Sequence, residues 1–278
     1  MEFVKEGRPL PCSNKRFWGK VSQLLEPLVT KSAVIKSSQD LIHIFTQICA
    51  LSSQGTGENE FSGFETWIEE YSSKNKDFFT LAIPKIAKNV LLMPQLFPES
   101  ELKQLGHPKH QSSVSLSQEQ VLCLICNMFF CTIAPIKGRD KYWTNYSIWY
   151  SCDLQRSNCV KNYLLCLLDF LSEPQIQEGK KIVFQCCNFE EKIDFENCEK
   201  PLCEMEIRMG SIGDDPLLVE VDFANEDPNF GRGGTQEEIL FGFSPHLHVG
   251  EFHQSFSSLN IEYLIHKSSS FGCYDEEE

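Results

Sequence analysis

The sequence predicts an α+β or α/β protein, with a helical region over residues 1–178 and a sheet-containing region over residues 179–278. Apolar residues recur at helical spacing as far as residue 171, and alternating apolar and polar residues begin near residue 181. The composition, with 41% hydrophobic and 23% charged residues, is that of an ordinary globular chain. A chain of 278 residues is long enough to bury a sizeable core in one large or two small domains.

Apolar stripes predict the helices of the first region. They cover residues 17–29 with a break at Pro27, 38–49, 64–71, 77–93 interrupted or opened at Pro84, and 162–171. Two segments rich in polar residues, glycine or proline, 52–62 and 94–113, are predicted to be connections. Residues 115–120 supply an N-cap and an early acidic residue for a further helix, which continues through the apolar run from Val121.

Short apolar or alternating runs predict the strands of the second region. They lie at residues 181–186, 205–209, 217–223 and 260–266. The run at 217–223 is the strongest of the four and is typical of a strand in a buried sheet.

The net charge and the lengths of the apolar runs exclude several classes of protein. The chain has 25 Lys+Arg and 39 Asp+Glu, which gives a net charge of −14, and such a surface repels a phosphate backbone. Because no run of about 18 apolar residues occurs, and residues 1–6 lack the apolar stretch of a signal peptide, we expect neither a membrane partner nor direct nucleic-acid binding.

The thirteen cysteines leave two interpretations open. Without a secretory signal a disulfide framework is not expected. Cys123 and Cys126 form a Cys-x-x-Cys pair inside the apolar run 121–131, where they could be small hydrophobic core residues or part of a metal or redox site. The run is apolar almost throughout and no matching second pair of ligands follows, so core packing is favoured.

Three histidines near Glu251 raise a similar question. His246, His248 and His253 could suggest a metal site, but alternating histidines on a loop with no further defined ligand are more typical of a surface. We expect no metal and no other cofactor.

The pattern with most chemical content is a strand, a glycine-bearing loop and a helix start. Residues 219–225 run from the strand into a turn, and the loop that follows carries Gly231, Gly233 and Gly234. Gln-Glu-Glu then stands at 236–238. Glycines let backbone N–H groups approach a phosphate, and a helix N-terminus adds a favourable dipole. Paired carboxylates suit acid–base work on a glycosidic bond. The same acidic turn is also what the helix dipole favours in any protein, and that alternative stays open.

This segment resembles the poly(ADP-ribose) glycohydrolase family, whose signature is Val-Asp-Phe-Ala-Asn, a glycine-rich loop and Gln-Glu-Glu. Further similarities occur in the family's order at residues 10–13, 115–121 with 129–132, and 197–202. The resemblance implies a helical accessory domain followed by a macrodomain-like α/β core, which ends here within its C-terminal half, 40 residues after Glu238.

The resemblance also implies an activity and a set of roles. The family hydrolyses the ribose–ribose bonds of poly(ADP-ribose) without a metal, and Glu238 would be the acid/base residue. Glu237 would orient the ribose with support from Gln236. Asp222 and Asn225 would shape the site, and the three loop glycines would contact diphosphate. ADP-ribosylated proteins in the nucleus or cytoplasm would be its partners, in the DNA damage response.

A second hypothesis rests on where the chain departs from the family pattern. The loop before Gln236 is several residues shorter than in the family and lacks three consecutive glycines. Glu226, Asp227 and Pro228 stand near the expected diphosphate position, where like charges repel and proline lacks an N–H donor. The alternative function is a catalytically impaired member that binds ADP-ribose or acts as an interaction module.

Overall fold

The computed structural model describes residues 7–51, 61–105, 112–133, 145–186, 199, 219–222, 231–253 and 263–266. Its helices are α1 (Lys15–Val29), α2 (Ser38–Leu51), α3 (Ser62–Lys74), α4 (Ile83–Leu91), α5 (Met93–Leu96), α6 (Gln118–Phe129), α7 (Ser147–Tyr150), α8 (Asn158–Ser172) and α9 (Gln236–Phe243). A π-helical turn at Phe78–Ala82 precedes α4, and 3-10 turns cover Pro11–Ser13 and Pro245–His253. The helices predicted for the first region are present. Among the described residues, no helix is long and apolar enough to cross a membrane.

Proline has opposite outcomes at two positions. Pro84 opens a helix as predicted, because it occupies the first turn of α4, where its missing N–H needs no partner. The break predicted at Pro27 is wrong, since α1 runs through Pro27 and ends at Val29. Thr30 closes the helix by donating its backbone N–H to the carbonyl of Glu26 at 2.9 Å. A proline this close to the end of a helix marks its last turn rather than its interior.

The strands form three two-stranded antiparallel pairs among the described residues. They are β1 (Gly7–Pro9) with β2 (Glu101–Lys103), β3 (Ser112–Ser117) with β4 (Lys181–Cys186), and β5 (Val219–Asp222) with β6 (Tyr263–His266). The predicted strand at 181–186 is confirmed, and those at 217–223 and 260–266 are confirmed over their described residues, 219–222 and 263–266. The strand predicted at 205–209 lies outside the described residues.

Two strands lie where the sequence predicts a connection and a helix cap. β2 occupies part of the predicted connection, and β3 includes residues assigned to the cap of α6. Ser117 serves both elements, because it ends β3 and its side chain accepts the N–H of Gln120 in a capping box at the start of α6. The pairing of β3 with β4 joins the helical region to the first strand of the second region. The mixture of α and β is confirmed, and the macrodomain-like core remains a prediction.

The core is centred on α6, whose residues from Val121 to Phe129 are all buried. Helix α4 packs against both α1 and α6. Phe45 of α2 stacks on Tyr150 of α7 with ring centroids 5.4 Å apart, and Phe64 of α3 lies 4.2 Å from the same tyrosine ring. These aromatic contacts hold the short helix α7 in a fixed orientation at the centre of the helical region.

The cysteines of this core behave as small apolar side chains. Cys123 and Cys126 are fully buried on α6 and are free thiols, so the core-packing interpretation is confirmed. Burial raises the pKa of both thiols well above the ordinary value, which keeps them protonated and poorly nucleophilic. Of the four tryptophans, Trp67 and Trp149 are buried in the helical region and Trp18 is half-buried there, while Trp143 lies outside the described residues.

Candidate functional site

The glycine loop, residues 231–235, leads directly into helix α9. Thr235 is the N-cap of that helix, and its hydroxyl oxygen accepts the backbone N–H of Glu238 at 3.3 Å. The carboxylate of Glu238 returns to the cap by accepting the backbone N–H of Thr235 at 3.1 Å. This capping box satisfies donors at both ends of the first turn, so a Thr-x-x-Glu pattern fixes where the helix begins.

The carboxylate of Glu238 caps the helix and also accepts hydrogen bonds from backbone N–H groups of the glycine loop. Oε1 accepts the N–H of Arg232 and the N–H of Gly233, each at 3.0 Å. Oε2 accepts the hydroxyl of Thr235 at 2.9 Å in addition to the Thr235 N–H. Of the three glycines predicted to contact diphosphate, Gly233 thus donates its N–H to an anion that belongs to the chain itself.

These contacts set the protonation state of Glu238. Partial burial opposes ionisation of the carboxyl, but the hydrogen bonds from Gly233, from the amide and hydroxyl of Thr235, and from Arg232 outweigh it. The pKa of Glu238 therefore lies below its ordinary value, and the side chain is ionised at neutral pH.

The glycines of the loop are required by how closely the carboxylate approaches. Gly231 has a φ of +30°, and a Cβ added there would collide with the Glu238 carboxylate. A Cβ at Gly233 would come within 2.6 Å of Glu238 Oε2. The third glycine, Gly234, faces Cys159 of α8 instead, whose Sγ would lie 3.3 Å from an added Cβ. Gly231 and Gly233 make room for the side chain of Glu238.

Two aromatic residues of the helical region hold the loop from the other side. The indole N–H of Trp149 on α7 donates to the carbonyl of Gly231 at 2.7 Å. The hydroxyl of Tyr163 on α8 donates to the carbonyl of Gly233, also at 2.7 Å. Both aromatic side chains are buried, with exposed fractions of 0% and 1%. Sequence analysis missed both residues as parts of the site. A tryptophan or tyrosine in an apolar run indicates that its buried N–H or O–H needs a hydrogen-bond partner, but the sequence does not indicate which partner.

The structure brings together some of the predicted site residues. Glu237 follows Gln236 in the first turn of α9 and is buried, with 9% of its surface exposed, whereas its neighbour Glu238 is half-buried against the loop. Asp222 is the last residue of β5. Asn225 lies outside the described residues, as do Glu226, Asp227 and Pro228.

His248, in the segment after α9, is part of the core, which corrects the prediction that it lies on the surface. His248 is fully buried, its Nε2–H donates to the carbonyl of Phe241 at 2.7 Å, and its Nδ1 accepts the hydroxyl of Tyr146 at 2.7 Å. Burial lowers the pKa of His248 to about 3, against the Phe241 hydrogen bond, which raises it. The described residues contain no group of His, Cys, Asp and Glu arranged to hold a metal ion.

Comparison with known proteins finds a family to which the helical region is similar. Residues 71–191 match the family model described as the helical domain of poly(ADP-ribose) glycohydrolase. A curated relative, the probable poly(ADP-ribose) glycohydrolase 2 of Arabidopsis thaliana, is 28% identical over 225 residues. That alignment covers 67% of this chain and 42% of the relative, so the chain spans less than half of that protein.

The chain is therefore similar to the poly(ADP-ribose) glycohydrolase family over the family's helical domain. The matched range includes α4 to α8 and the β3–β4 pair, and therefore contains Trp149 and Tyr163. The glycine loop and α9 lie beyond the matched range, so the donors that hold the loop belong to the matched domain and the loop does not.

Proposed function

We propose that this chain hydrolyses the ribose–ribose O-glycosidic bonds of poly(ADP-ribose) and releases ADP-ribose. Similarity to the poly(ADP-ribose) glycohydrolase family supports the reaction class. The observation that carries the proposal is the convergence of the Arg232 and Gly233 amides on one anionic oxygen at the start of α9, beside Glu237 and Glu238. An anion site and two carboxylates within one helical turn are the parts that a diphosphate-linked sugar substrate requires.

Glu238 is the proposed acid/base residue. In its protonated form it donates a proton to the ribose oxygen that leaves, as the glycosidic bond breaks through an oxocarbenium-like transition state. As a carboxylate it then takes a proton from the water that attacks the anomeric carbon. Glu237 is the proposed ribose-orienting residue, with Gln236, Asp222 and Asn225 in supporting positions. No metal or other cofactor enters this scheme.

Substrate binding and the release of Glu238 are coupled in this proposal. The same amides cannot hold both the Glu238 carboxylate and a diphosphate oxygen. When the diphosphate binds Arg232 N–H and Gly233 N–H, the carboxylate is displaced toward the ribose and loses the hydrogen bonds that favour its ionised form. Binding therefore raises the pKa of Glu238 at the moment when a proton donor is needed.

A second candidate function is recognition of ADP-ribose without turnover. It is favoured by the four hydrogen bonds that hold Glu238 as a carboxylate, because a residue kept ionised is a poor proton donor. The glycine loop, which is shorter than in the family, also favours recognition of ADP-ribose without turnover. In either case we propose ADP-ribosylated proteins of the nucleus or cytoplasm as the partners, and a role in poly(ADP-ribose) turnover after DNA damage.

One experiment separates the two candidates. Purified chain is incubated with labelled poly(ADP-ribose) beside Glu238→Gln and Glu119→Gln, the latter being the same substitution in the first turn of another capped helix, α6. We expect ADP-ribose release by the unmodified chain and by Glu119→Gln, and none by Glu238→Gln. If none of the three releases ADP-ribose at high protein concentration, hydrolysis is excluded. A calorimetric titration with ADP-ribose then tests the recognition function, and absence of heat together with an unshifted melting temperature excludes that as well.

A further inference from the structure

One peptide unit of the glycine loop is hydrogen-bonded on both of its edges. The carbonyl of Gly231 accepts the indole N–H of Trp149 at 2.7 Å, and the N–H of Arg232 donates to Oε1 of Glu238 at 3.0 Å. These two groups belong to the same planar peptide, in which C=O and N–H point in opposite directions when the bond is trans. Fixing the carbonyl on one side therefore fixes the direction of the amide on the other.

Gly233 is held in a related way. Its N–H donates to Oε1 of Glu238 at 3.0 Å, and its carbonyl accepts the hydroxyl of Tyr163 at 2.7 Å. The N–H and C=O of Gly233 belong to adjacent peptide planes that meet at its Cα, so the Tyr163 hydrogen bond holds Gly233 in place and thereby positions its N–H. Both amides that reach Oε1 thus depend on an aromatic donor of the helical region.

The two aromatic side chains form a rigid support. Trp149 stacks on Tyr146 with ring centroids 5.0 Å apart and contacts Tyr163 at 5.7 Å. Since both are buried, neither can change rotamer without opening the core. Helix α8, which carries Tyr163, also packs against α9, which carries Glu238.

We propose that Trp149 and Tyr163 are positioning residues. They direct the amides of the glycine loop at Oε1 of Glu238 and so determine whether that side chain is protonated or ionised. For its catalytic consequence this rests on the function proposed above. The geometric part does not, because it concerns only the loop and the carboxylate.

The charged and titratable groups near Glu238 come from three elements. Arg232 belongs to the glycine loop and Glu237 to α9, while Cys159 and Tyr163 belong to α8. Burial raises the pKa of Tyr163, and the neighbouring Cys159 and Glu238 raise it further, so its hydroxyl keeps its proton at all working pH values. A change in the state of Glu238 on removal of the Tyr163 hydroxyl therefore reflects a lost donor and not a lost charge.

The test uses the full chain with Tyr163→Phe and with Trp149→Phe. Tyr150→Phe is the matched control, since Tyr150 is equally buried but donates to the carbonyl of Phe129, away from the loop. The pKa of Glu238 is followed by carbon-13 NMR of its side-chain carboxyl, assigned with Glu238→Gln, and the fold is followed by thermal melting. We expect the pKa of Glu238 to rise in Tyr163→Phe and in Trp149→Phe and to stay unchanged in Tyr150→Phe.

An unchanged Glu238 pKa in Tyr163→Phe, which removes only a hydroxyl, overturns the proposal. So does an equal rise in Tyr150→Phe, because that would trace the change to general loss of stability. Where ADP-ribose release is measurable, we expect the KM to rise by about three- to tenfold in Tyr163→Phe relative to Tyr150→Phe, because the Gly233 amide proposed to bind diphosphate is no longer held in place. If the unmodified chain is inactive, the hydrolase function fails while the NMR measurement still decides the positioning role.

Discussion

The amide of Gly233 donates to Oε1 of Glu238 at 3.0 Å, and this bond ties the glycine loop to the first turn of the helix that follows it. The loop therefore folds around the side chain of Glu238, which lies five residues after Gly233 in the sequence. Because Glu238 is also the proposed acid/base residue, the bond links the local fold to the proposed chemistry. Any ligand that takes the Gly233 amide must release the carboxylate.

Adding a methyl group at Gly233 should destabilise the loop by about 1–3 kcal/mol, because the new Cβ would meet Glu238 Oε2 at 2.6 Å. A double-mutant cycle of Gly233→Ala with Glu238→Ala, measured by urea unfolding, should show that shortening Glu238 relieves most of this cost. Gly19→Ala is the control, since nothing lies within 4 Å of an added Cβ there and an exposed helical glycine replaced by alanine should stabilise by about 0.5–1 kcal/mol. Additive costs at positions 233 and 238 would contradict the collision.

Removing the cap of α9 should weaken the chain by about 1 kcal/mol. Thr235→Ala loses the hydroxyl that accepts Glu238 N–H and donates to Glu238 Oε2, whereas Thr235→Ser keeps both bonds. Ser117→Ala, in the capping box of α6, provides a reference for a cap in the buried part of the chain. The free energies of unfolding should place Thr235→Ser near the unmodified chain. A loss as large in Thr235→Ser as in Thr235→Ala would show that the cap is not the cause.

The chain should lose stability in acid because of His248. Its folded-state pKa of about 3 lies below the ordinary value of 6.5, so the unfolded chain binds a proton that the folded chain does not. The contribution of the neutral imidazole is fully present above pH 6.5 and is lost progressively as the pH falls toward 3. Melting temperatures of the chain and of His248→Asn should converge over this range. A difference that does not change with pH would contradict the buried neutral state.

If Glu238 acts as the proton donor, kcat/KM, which reports the unbound protein, should increase as the pH falls from about 8 toward about 5. The reason is its lowered pKa, which leaves only a small protonated fraction near neutrality. Initial rates of ADP-ribose release, measured with the fold monitored by circular dichroism, provide the test. Rates that fall with decreasing pH while the chain remains folded would argue against Glu238 as the acid.

Periodicity predicted several helices well because α1, α2 and α4 each bury one apolar face in the same core. The stripes of α1, α2 and α4 are visible in the sequence for that reason. Strand β3 was hidden, because its alternating serines also suit a helix cap, and its partner β4 lies more than 60 residues further along the chain. Pairing over that distance leaves no local signal.

The site was predictable only in part, for a similar reason. The strand, glycines and acidic turn are adjacent in sequence, and their order indicated a loop before a helix. The contacts of Trp149 and Tyr163 with that loop join residues that are 82 and 70 positions apart in the sequence. No spacing pattern in the sequence predicts them. His248 looked like a surface residue because its partners, Tyr146 and the carbonyl of Phe241, become visible only in the folded chain.

The most direct test of the proposed function is hydrolysis of labelled poly(ADP-ribose) with the chain in excess over substrate, compared with Glu238→Gln. Glutamine keeps the shape of the side chain and its oxygen can accept the Thr235 amide in a capping box, so α9 should stay folded, whereas its NH2 group cannot accept the Arg232 and Gly233 amides. It cannot serve as the acid/base residue. We predict release of ADP-ribose by the unmodified chain and a loss of at least about a hundredfold in Glu238→Gln. Equal release by the two proteins, or release by neither, would contradict the proposal that Glu238 carries this chemistry.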